Sequence, residues 1–240
     1  MSERRLQGLL LMATVCVFVG QVVCLWDFVV DDAFISFRYA RNLAEGHGLV
    51  FNPGERVEGY SNFLWVLIIS LCIKLGADPL ASAKLLGVGL SAGTLAVVWR
   101  LSSVLGGAGG PAGRVWDLVA PLLLACNASF ALWTVGGMET PLFAFLLALG
   151  SFLYLRRRER EVAVAWLLPL FLAALTRPEG AMYLLATIAH RAVDNYFRLG
   201  GKPFKARELA AVAATLAMGG LYGLWRLAYY GDLTPNTFYA

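Results

Sequence analysis

An uncharged run of 21 residues, from Leu6 to Trp26, constrains this chain more than any other feature. A helix of about 20 apolar residues is long enough to cross the hydrocarbon core of a bilayer. The run follows Arg4 and Arg5, as the apolar core of a secretory signal would. However, it exceeds the ~7–15 residues of such a core and ends at Trp26-Asp27 rather than at a small-residue cleavage site. We therefore predict a transmembrane helix that is retained.

Six further apolar stretches follow, and the composition agrees that most of the chain avoids water. We predict spans at residues 80–105, 115–137, 140–155, 162–176, 180–193 and 208–230. Charged residues make up 15% of the chain, against about 25% in soluble domains. The 59% of hydrophobic residues excludes a disordered chain. Because backbone groups in lipid must be satisfied within the helix, we expect an all-α polytopic membrane protein of about seven transmembrane helices.

The arginine and lysine residues predict the orientation of these spans. The basic clusters are Arg4 with Arg5, Arg114, residues 156–160 and residues 191–207. Positive loops stay cytoplasmic, and seven crossings put every cluster on that side. An eighth apolar stretch, 63–75, is short for a crossing, and counting it would reverse all later loops. We predict a juxtamembrane or re-entrant helix there, on the outer side. The net charge of +4 thus reflects topology and does not indicate nucleic-acid binding.

Seven crossings also bring four polar segments to the outer face. These segments are residues 27–79, residues 136–140, residues 177–180 and the tail from Tyr230. Ionisable residues held near lipid are costly and mark functional sites in membrane proteins. We therefore expect the functional site on the extracytoplasmic face.

The first outer loop, residues 27–79, opens with a predicted amphipathic helix that ends near Gly46. Four polar residues share one face of a helical wheel: Arg38, Arg41, Asn42 and Glu45. A helix of this kind lies at the bilayer surface. The turn sequence NPGE at 52–55 then leads to the short helix at 63–75, so we predict two surface helices in this loop.

Two adjacent acids, Asp31 and Asp32, precede the amphipathic helix. One interpretation is helix capping, which needs a single acid. The other is a carboxylate pair at the membrane boundary, where a carboxylate could take a proton from an acceptor hydroxyl or help to hold a divalent cation. The position of the pair, directly after the first crossing, favours the functional interpretation.

These residues carry a family resemblance. Residues 31–43, DDAFISFRYARNL, and residues 48–62, GLVFNPGERVEGYSN, resemble the start of GT-C-fold glycosyltransferases. Among these they most resemble the polyprenyl-phosphate arabinofuranosyltransferase-like group of cell-wall assembly. The rest of the chain matches in layout, with one crossing, a long outer loop and then six more crossings.

The resemblance implies a fold, a reaction and a place. The fold would be a GT-C-like transmembrane domain over residues 1–240, in a bacterial plasma membrane, and many family members carry a further soluble domain. The reaction would invert the anomeric centre of a sugar on a polyprenyl phosphate, with arabinofuranose as the indicated sugar and a glycan or lipid as the acceptor. The family's acidic motif maps onto Asp31 and Asp32, and we favour Asp31 as the catalytic base. A second acid in a later outer loop maps onto Glu139.

The candidate donor-binding residues are Arg38, Arg41, Arg56, Glu139 and Arg177. An arginine fork suits phosphate, but the first three arginines could equally contact lipid headgroups in general, and Arg177 could pair locally with Glu179. Asp32 and Glu139 are also the candidate ligands of a divalent cation, Mg or Mn.

Two other functional classes remain open. A transporter or flippase of lipid-linked saccharides would carry charges in the middle of its crossings and an internal repeat, whereas the acids here cluster at one face. A membrane scaffold without catalysis would need no acid pair.

Overall fold

The computed structural model of this chain describes residues 2–106, 114–156, 164–198, 200–232 and 235, and every regular element in those ranges is helical. The helices are α1 (Glu3–Cys24), α2 (Ala33–Ala44), α3 (Phe63–Lys74), α4 (Pro79–Leu105), α5 (Val119–Ala125), α6 (Ala128–Val135), α7 (Thr140–Arg156), α8 (Leu167–Thr176), α9 (Pro178–Arg198) and α10 (Ala206–Tyr230). A 3-10 turn, Val115–Leu118, precedes α5. Residues 157–160 of the basic cluster, the start of the span predicted at 162–176 and most of the tail lie outside the described residues.

The prediction of an all-helical fold is confirmed for the described residues, but the count of seven membrane spans is not. Within the described ranges, three helices are long and apolar enough to cross a membrane: α1, α4 and α10. The bent pair of α5 and α6 makes a fourth if it counts as one span. The helices α3, α7 and α8 are apolar but have 12, 17 and 10 residues. The helix α9 has 21 residues, but its second half carries the charged residues Arg191, Asp194 and Arg198.

The span predicted at 115–137 is broken at Asn127. The two helices on either side of the break meet at 62°. The Asn127 side chain accepts hydrogen bonds from the backbone N–H groups of Ser129 and Phe130, at 2.9 and 3.3 Å. Asparagine is a strong N-cap, so it starts a new helix here instead of continuing the old one. The apolar composition of the run concealed this break.

The amphipathic helix predicted in the first loop is present as α2. It buries Ala33, Phe37 and Ala40 and exposes Arg38 and Arg41. Its end follows the predicted stop signal, because Gly46 has a φ of +85°, a conformation that glycine adopts without strain.

The short helix α3 lies in the core of the bundle. Trp65, Val66 and Ile69 are completely buried there and belong to one cluster with Phe37 of α2 and Ala173 of α8. The apolar sequence of α3 is therefore explained by burial within the protein, and its position on the outer side of a membrane stays a prediction.

The helices α8 and α9 pack closely where they are joined. A Cβ atom on Gly180, in the first turn of α9, would lie 2.3 Å from the carbonyl carbon of Ala173 in α8. Only glycine permits this approach, and the tight junction fixes the position of Arg177 between the two helices.

Candidate functional site

The four polar segments predicted to share a face meet at one end of the bundle. The backbone N–H of Val30 donates to the carbonyl of Gly136 at 3.0 Å. The carboxylate of Glu139 joins residues of two other segments, Asn62 and Arg177. The hydroxyls of Tyr60 and Tyr230 lie 3.0 Å apart. These contacts bring the segments together, and the membrane face they occupy stays a prediction.

The acid pair occupies an exposed turn at the start of α2. Neither Asp31 nor Asp32 makes a side-chain hydrogen bond or ion pair with any described residue, and Asp32 does not cap α2 with its side chain. The structure therefore gives no support to the capping interpretation. The turn itself is held in place, because Val30 bonds to Gly136 and a Cβ on Gly137, whose φ is +85°, would lie 3.1 Å from the Cβ of Ala33.

Glu139 is the centre of a buried hydrogen-bond network. Only 3% of the residue is exposed. Its Oε1 accepts from Arg177 Nε at 2.6 Å, and its Oε2 accepts from Asn62 Nδ2 at 2.7 Å. Asn62 also donates to Ser36 Oγ of α2 at 2.9 Å, and Arg177 Nη2 donates to Thr140 Oγ1 at 3.1 Å. We call these five residues the Glu139 network; it ties α2, α7 and the α8–α9 junction to the start of α3.

The geometry bears on both interpretations of Arg177, which were phosphate binding and a local ion pair with Glu179. Its partner is Glu139 rather than the neighbouring Glu179. The Arg177 side chain remains 31% exposed, and no described residue accepts a hydrogen bond from its Nη1. The guanidinium thus has both a structural partner and an open edge.

The three arginines of the first loop differ in what they contact. Arg38 donates to the Phe51 carbonyl at 2.7 Å and to Asn52 Oδ1 at 2.8 Å, so it stabilises the loop. Arg56 lies over the ring of Tyr229, 4.8 Å from its centroid. Arg41 is exposed, and its guanidinium makes no hydrogen bond or ion pair within the described ranges. Donor binding by these residues stays a prediction, and the geometry favours it least for Arg38.

The two candidate metal ligands differ in their surroundings, because Asp32 has no side-chain partner among the described residues and Glu139 is fully engaged. Both oxygens of Glu139 are already engaged by Arg177 and Asn62. Among the described residues, no group of three or more histidine, cysteine, aspartate and glutamate side chains is placed to hold a metal ion. The donor set with Asp32 and Glu139 thus does not fit a bound cation as placed, and the Mg or Mn site stays a prediction.

A second buried ion pair, between Glu58 and Arg226, was missed by the sequence analysis. Glu58 is 5% exposed. Arg226 Nε donates to both carboxylate oxygens, at 3.0 and 3.1 Å, and its Nη2 donates to Oε2 at 2.6 Å. Burial raises the pKa of Glu58, and the hydrogen bonds from Arg226 oppose that rise. A lone arginine in the apolar run 208–230 was the available signal.

This ion pair lines a cavity of about 420 Å³ between α8, α9 and α10. Ser61 and Tyr222 join the pair at the polar end, while Phe171, Leu184 and other apolar side chains line the rest. Pro178, next to Arg177 in sequence, also lines the cavity, so the cavity and the Glu139 network are neighbours. A volume of this size is typical of sites for small molecules.

Comparison with known proteins gives one kind of match. No protein-family model matches the chain, and no solved structure matches it. A terminal beta-(1->2)-arabinofuranosyltransferase of Corynebacterium glutamicum is 26% identical to this chain, and the match covers 88% of this chain and 32% of that protein. The protein of the same name from Mycobacterium tuberculosis is 28% identical, and the match covers 88% of this chain and 34% of that protein.

The similarity supports a relation to glycosyltransferases. It extends well beyond residues 31–62, the region that carries the resemblance in the sequence. The chain spans about a third of the length of these two curated relatives. The comparisons therefore support a relation to glycosyltransferases, which agrees with the helical fold and its apolar helices. The donor, the acceptor and the stereochemistry belong to the proposal below.

Proposed function

We propose that this chain is the membrane part of an inverting glycosyltransferase. It would move a sugar, with arabinofuranose indicated by the two relatives, from a polyprenyl-phosphate donor to an extracytoplasmic glycan or lipid acceptor. The chain would lie in a bacterial plasma membrane with its site on the outer face. The observation that carries the proposal is an exposed, unpaired acid pair at the end of the bundle where the polar segments meet, in a chain similar to arabinofuranosyltransferases over 88% of its length.

Asp31 is the proposed base. The acceptor oxygen forms a bond to the anomeric carbon while the bond from that carbon to the donor phosphate oxygen breaks. The hydroxyl proton passes to a carboxylate oxygen of Asp31, and the polyprenyl phosphate leaves with the electron pair. Neither Asp31 nor Asp32 is held by a cation among the described residues, so the carboxylate is available to an incoming hydroxyl.

The Glu139 network positions the turn that carries Asp31 and Asp32, and it takes no part in the bond changes. It holds the segment 136–140 against α2 and α3, and the backbone of that segment accepts from Val30 just before the acid pair. A base must be held to within a fraction of an ångström of its productive place. A buried, fully hydrogen-bonded carboxylate below the turn meets that requirement.

The test is sugar transfer by the full chain in lipid nanodiscs, with a radiolabelled polyprenyl-phosphoryl arabinofuranose donor and an arabinan acceptor. The variant Asp31→Asn should lower the rate by about 100-fold or more, as expected on loss of a general base. Asp27→Asn is the matched control, because Asp27 is an exposed acid four residues earlier. Its rate should equal that of the wild type, and all three proteins should elute identically on gel filtration.

Several results would contradict the proposal. Wild-type rates for both Asp31→Asn and Asp32→Asn would remove the catalytic assignment. A product with the donor's anomeric configuration, read by NMR, would exclude inversion. Movement of the labelled lipid between leaflets without any transfer would favour the flippase alternative instead.

A further inference from the structure

The cavity between α8, α9 and α10 is elongated, with one polar end and apolar walls. Along α10 its lining runs from Thr215 to Arg226, which is about 16 Å at the helical rise of ~1.5 Å per residue. Phe171 and Leu184 belong both to the lining and to a buried apolar cluster. This shape suits an amphiphile with one long apolar chain.

The cavity has an opening at its side. Leu185 of α9 and Leu216 of α10 line it but remain 54% and 45% exposed. Both helices also present further apolar side chains outward, such as Met182 and Leu224, as surfaces in contact with lipid do. A chain from the bilayer can therefore enter between α9 and α10 without passing through water.

The polar end of the cavity holds hydrogen-bond donors that have no acceptor. Arg226 uses Nε and Nη2 for Glu58, and its Nη1 has no acceptor within the described parts of the chain. The hydroxyls of Ser61 and Tyr222, which also line this end, make no hydrogen bond to a described residue. Uncommitted donors beside an arginine suit a group rich in acceptor oxygens, and phosphate is such a group.

The Glu58 carboxylate determines how the guanidinium is presented. One edge of the Arg226 guanidinium donates three hydrogen bonds to the Glu58 carboxylate, and these fix the orientation of the guanidinium plane. A fixed guanidinium loses less conformational entropy on binding a ligand than a free one. The same carboxylate offsets the charge of Arg226, so a ligand anion would be held by hydrogen bonds more than by net charge.

We propose that this cavity is the binding site for a single-chain lipid phosphate, with Arg226, Ser61 and Tyr222 donating hydrogen bonds to the phosphate. This inference rests on the proposed function, because it gives the lipid-phosphate donor a place in the chain. It differs from the sequence analysis, which assigned the donor phosphate to Arg38, Arg41, Arg56 and Arg177. The segment 58–62 connects the two regions, since Ser61 lines the cavity and Asn62 belongs to the Glu139 network.

The test measures binding of farnesyl methyl phosphate, a single-chain phosphodiester, to the full chain in nanodiscs. The double variant Glu58→Gln with Arg226→Gln removes both charges and leaves no buried charge unpaired. We expect its affinity for the probe to fall at least about tenfold, the effect of losing a hydrogen bond from a charged group. Glu58→Gln alone keeps Arg226 and frees it from its counter-charge, so affinity should be retained or increased. If the pair were only a structural tether, both variants would bind alike.

A second pair of variants tests the apolar part of the cavity, which would hold the lipid tail, without changing any charged residue. Gly223 lines the cavity and Gly220 does not, and a Cβ at either position meets no atom within 4 Å. Gly223→Phe should fill the cavity and abolish binding of the probe, whereas Gly220→Phe should bind as the wild type does. Equal binding by these two variants would overturn the proposal.

The source of the lipid is tested by competition. Farnesol, with the same chain and no phosphate, should compete at least about tenfold less well than the probe. Phosphatidylglycerol, a two-chain anionic lipid, should compete poorly, and equal competition would mean that an ordinary bilayer lipid fills the cavity. Because binding is measured without sugar transfer, the two proposals can fail separately. Binding that needs Arg226 beside transfer that does not need Asp31 would refute only the proposed function.

Discussion

Two buried acid–arginine pairs lie at the same end of the bundle and differ in what surrounds them. In the first pair the Glu139 carboxylate is enclosed, because one oxygen accepts from Asn62 and the other from Arg177, while Arg177 also donates to Thr140 and keeps an open edge. The Glu58–Arg226 pair faces a cavity, and Arg226 alone donates to the Glu58 carboxylate among the described residues. The first arrangement suits a structural centre that holds three of the four polar segments together. The second suits a site that can accept a ligand.

The largest expected effect follows from Glu139→Gln. Both oxygens of the carboxylate face donors, so the amide NH₂ of glutamine would face either Arg177 or Asn62 whichever way it turned. The substitution also leaves the charge of Arg177 without its partner. We expect the free energy of unfolding in detergent micelles, measured by chemical denaturation, to fall by about 3 kcal/mol. A double-mutant cycle with Arg177→Gln should show strong coupling. Additive losses would mean that the pair contributes no interaction of its own.

A smaller effect is expected from Glu58→Gln, the same chemical change at the other pair. Here the amide oxygen can take the position of Oε2 and keep both hydrogen bonds that this atom accepts from Arg226, so that only the 3.0 Å contact between Nε and Oε1 is lost. Water in the cavity can also solvate the guanidinium. We expect a loss of about 1–2 kcal/mol in the same unfolding assay, clearly less than for Glu139→Gln. Equal losses at the two positions would remove the distinction between a carboxylate with two different donors and one that faces a cavity.

The sequence placed the two members of the first pair at one end of the bundle without predicting their contact, since the only partner considered for Arg177 was Glu179, and it could not predict the second pair. Glu139 and Arg177 stand in short polar segments between apolar runs, so charge and hydropathy placed them at one end of the bundle. Glu58 and Arg226 are 168 residues apart, and Arg226 lies within an apolar run. Their pairing depends on how α10 packs against the first loop, which periodicity does not encode. The lone charge alone could have marked Arg226 as a residue of interest.

The same reasoning explains the other differences between sequence and structure. The helix α2 and its stop at Gly46 were predicted correctly, because capping and amphipathic patterns are local. The break at Asn127 was missed, because a single capping residue inside an apolar run changes hydropathy very little. The burial of α3 was missed as well, because an apolar helix of 12 residues has the same sequence pattern in a protein core and in a membrane.

The smallest expected effect comes from Ser61, whose neighbour in sequence, Asn62, belongs to the other region and serves as its comparison. Asn62→Ala removes the donor that satisfies Glu139 Oε2 and the partner of Ser36, both in a buried environment. A buried acceptor left unsatisfied costs about 1–3 kcal/mol, so we expect a loss of that order in the free energy of unfolding. Ser61 makes no hydrogen bond to a described residue, and Ser61→Ala should change stability by no more than about 0.5 kcal/mol.

These two variants distinguish a structural role from a ligand-binding role at adjacent positions. If the cavity is a ligand site, Ser61→Ala should weaken binding of farnesyl methyl phosphate by about two- to tenfold while leaving stability unchanged, because its hydroxyl has no role until a ligand arrives. Asn62→Ala should do the reverse, lowering stability with little change in probe affinity at temperatures where the protein stays folded. A large stability loss from Ser61→Ala would show that its hydroxyl already has a structural partner. The contrast between the Glu139 network and the open cavity would then no longer hold at these two positions.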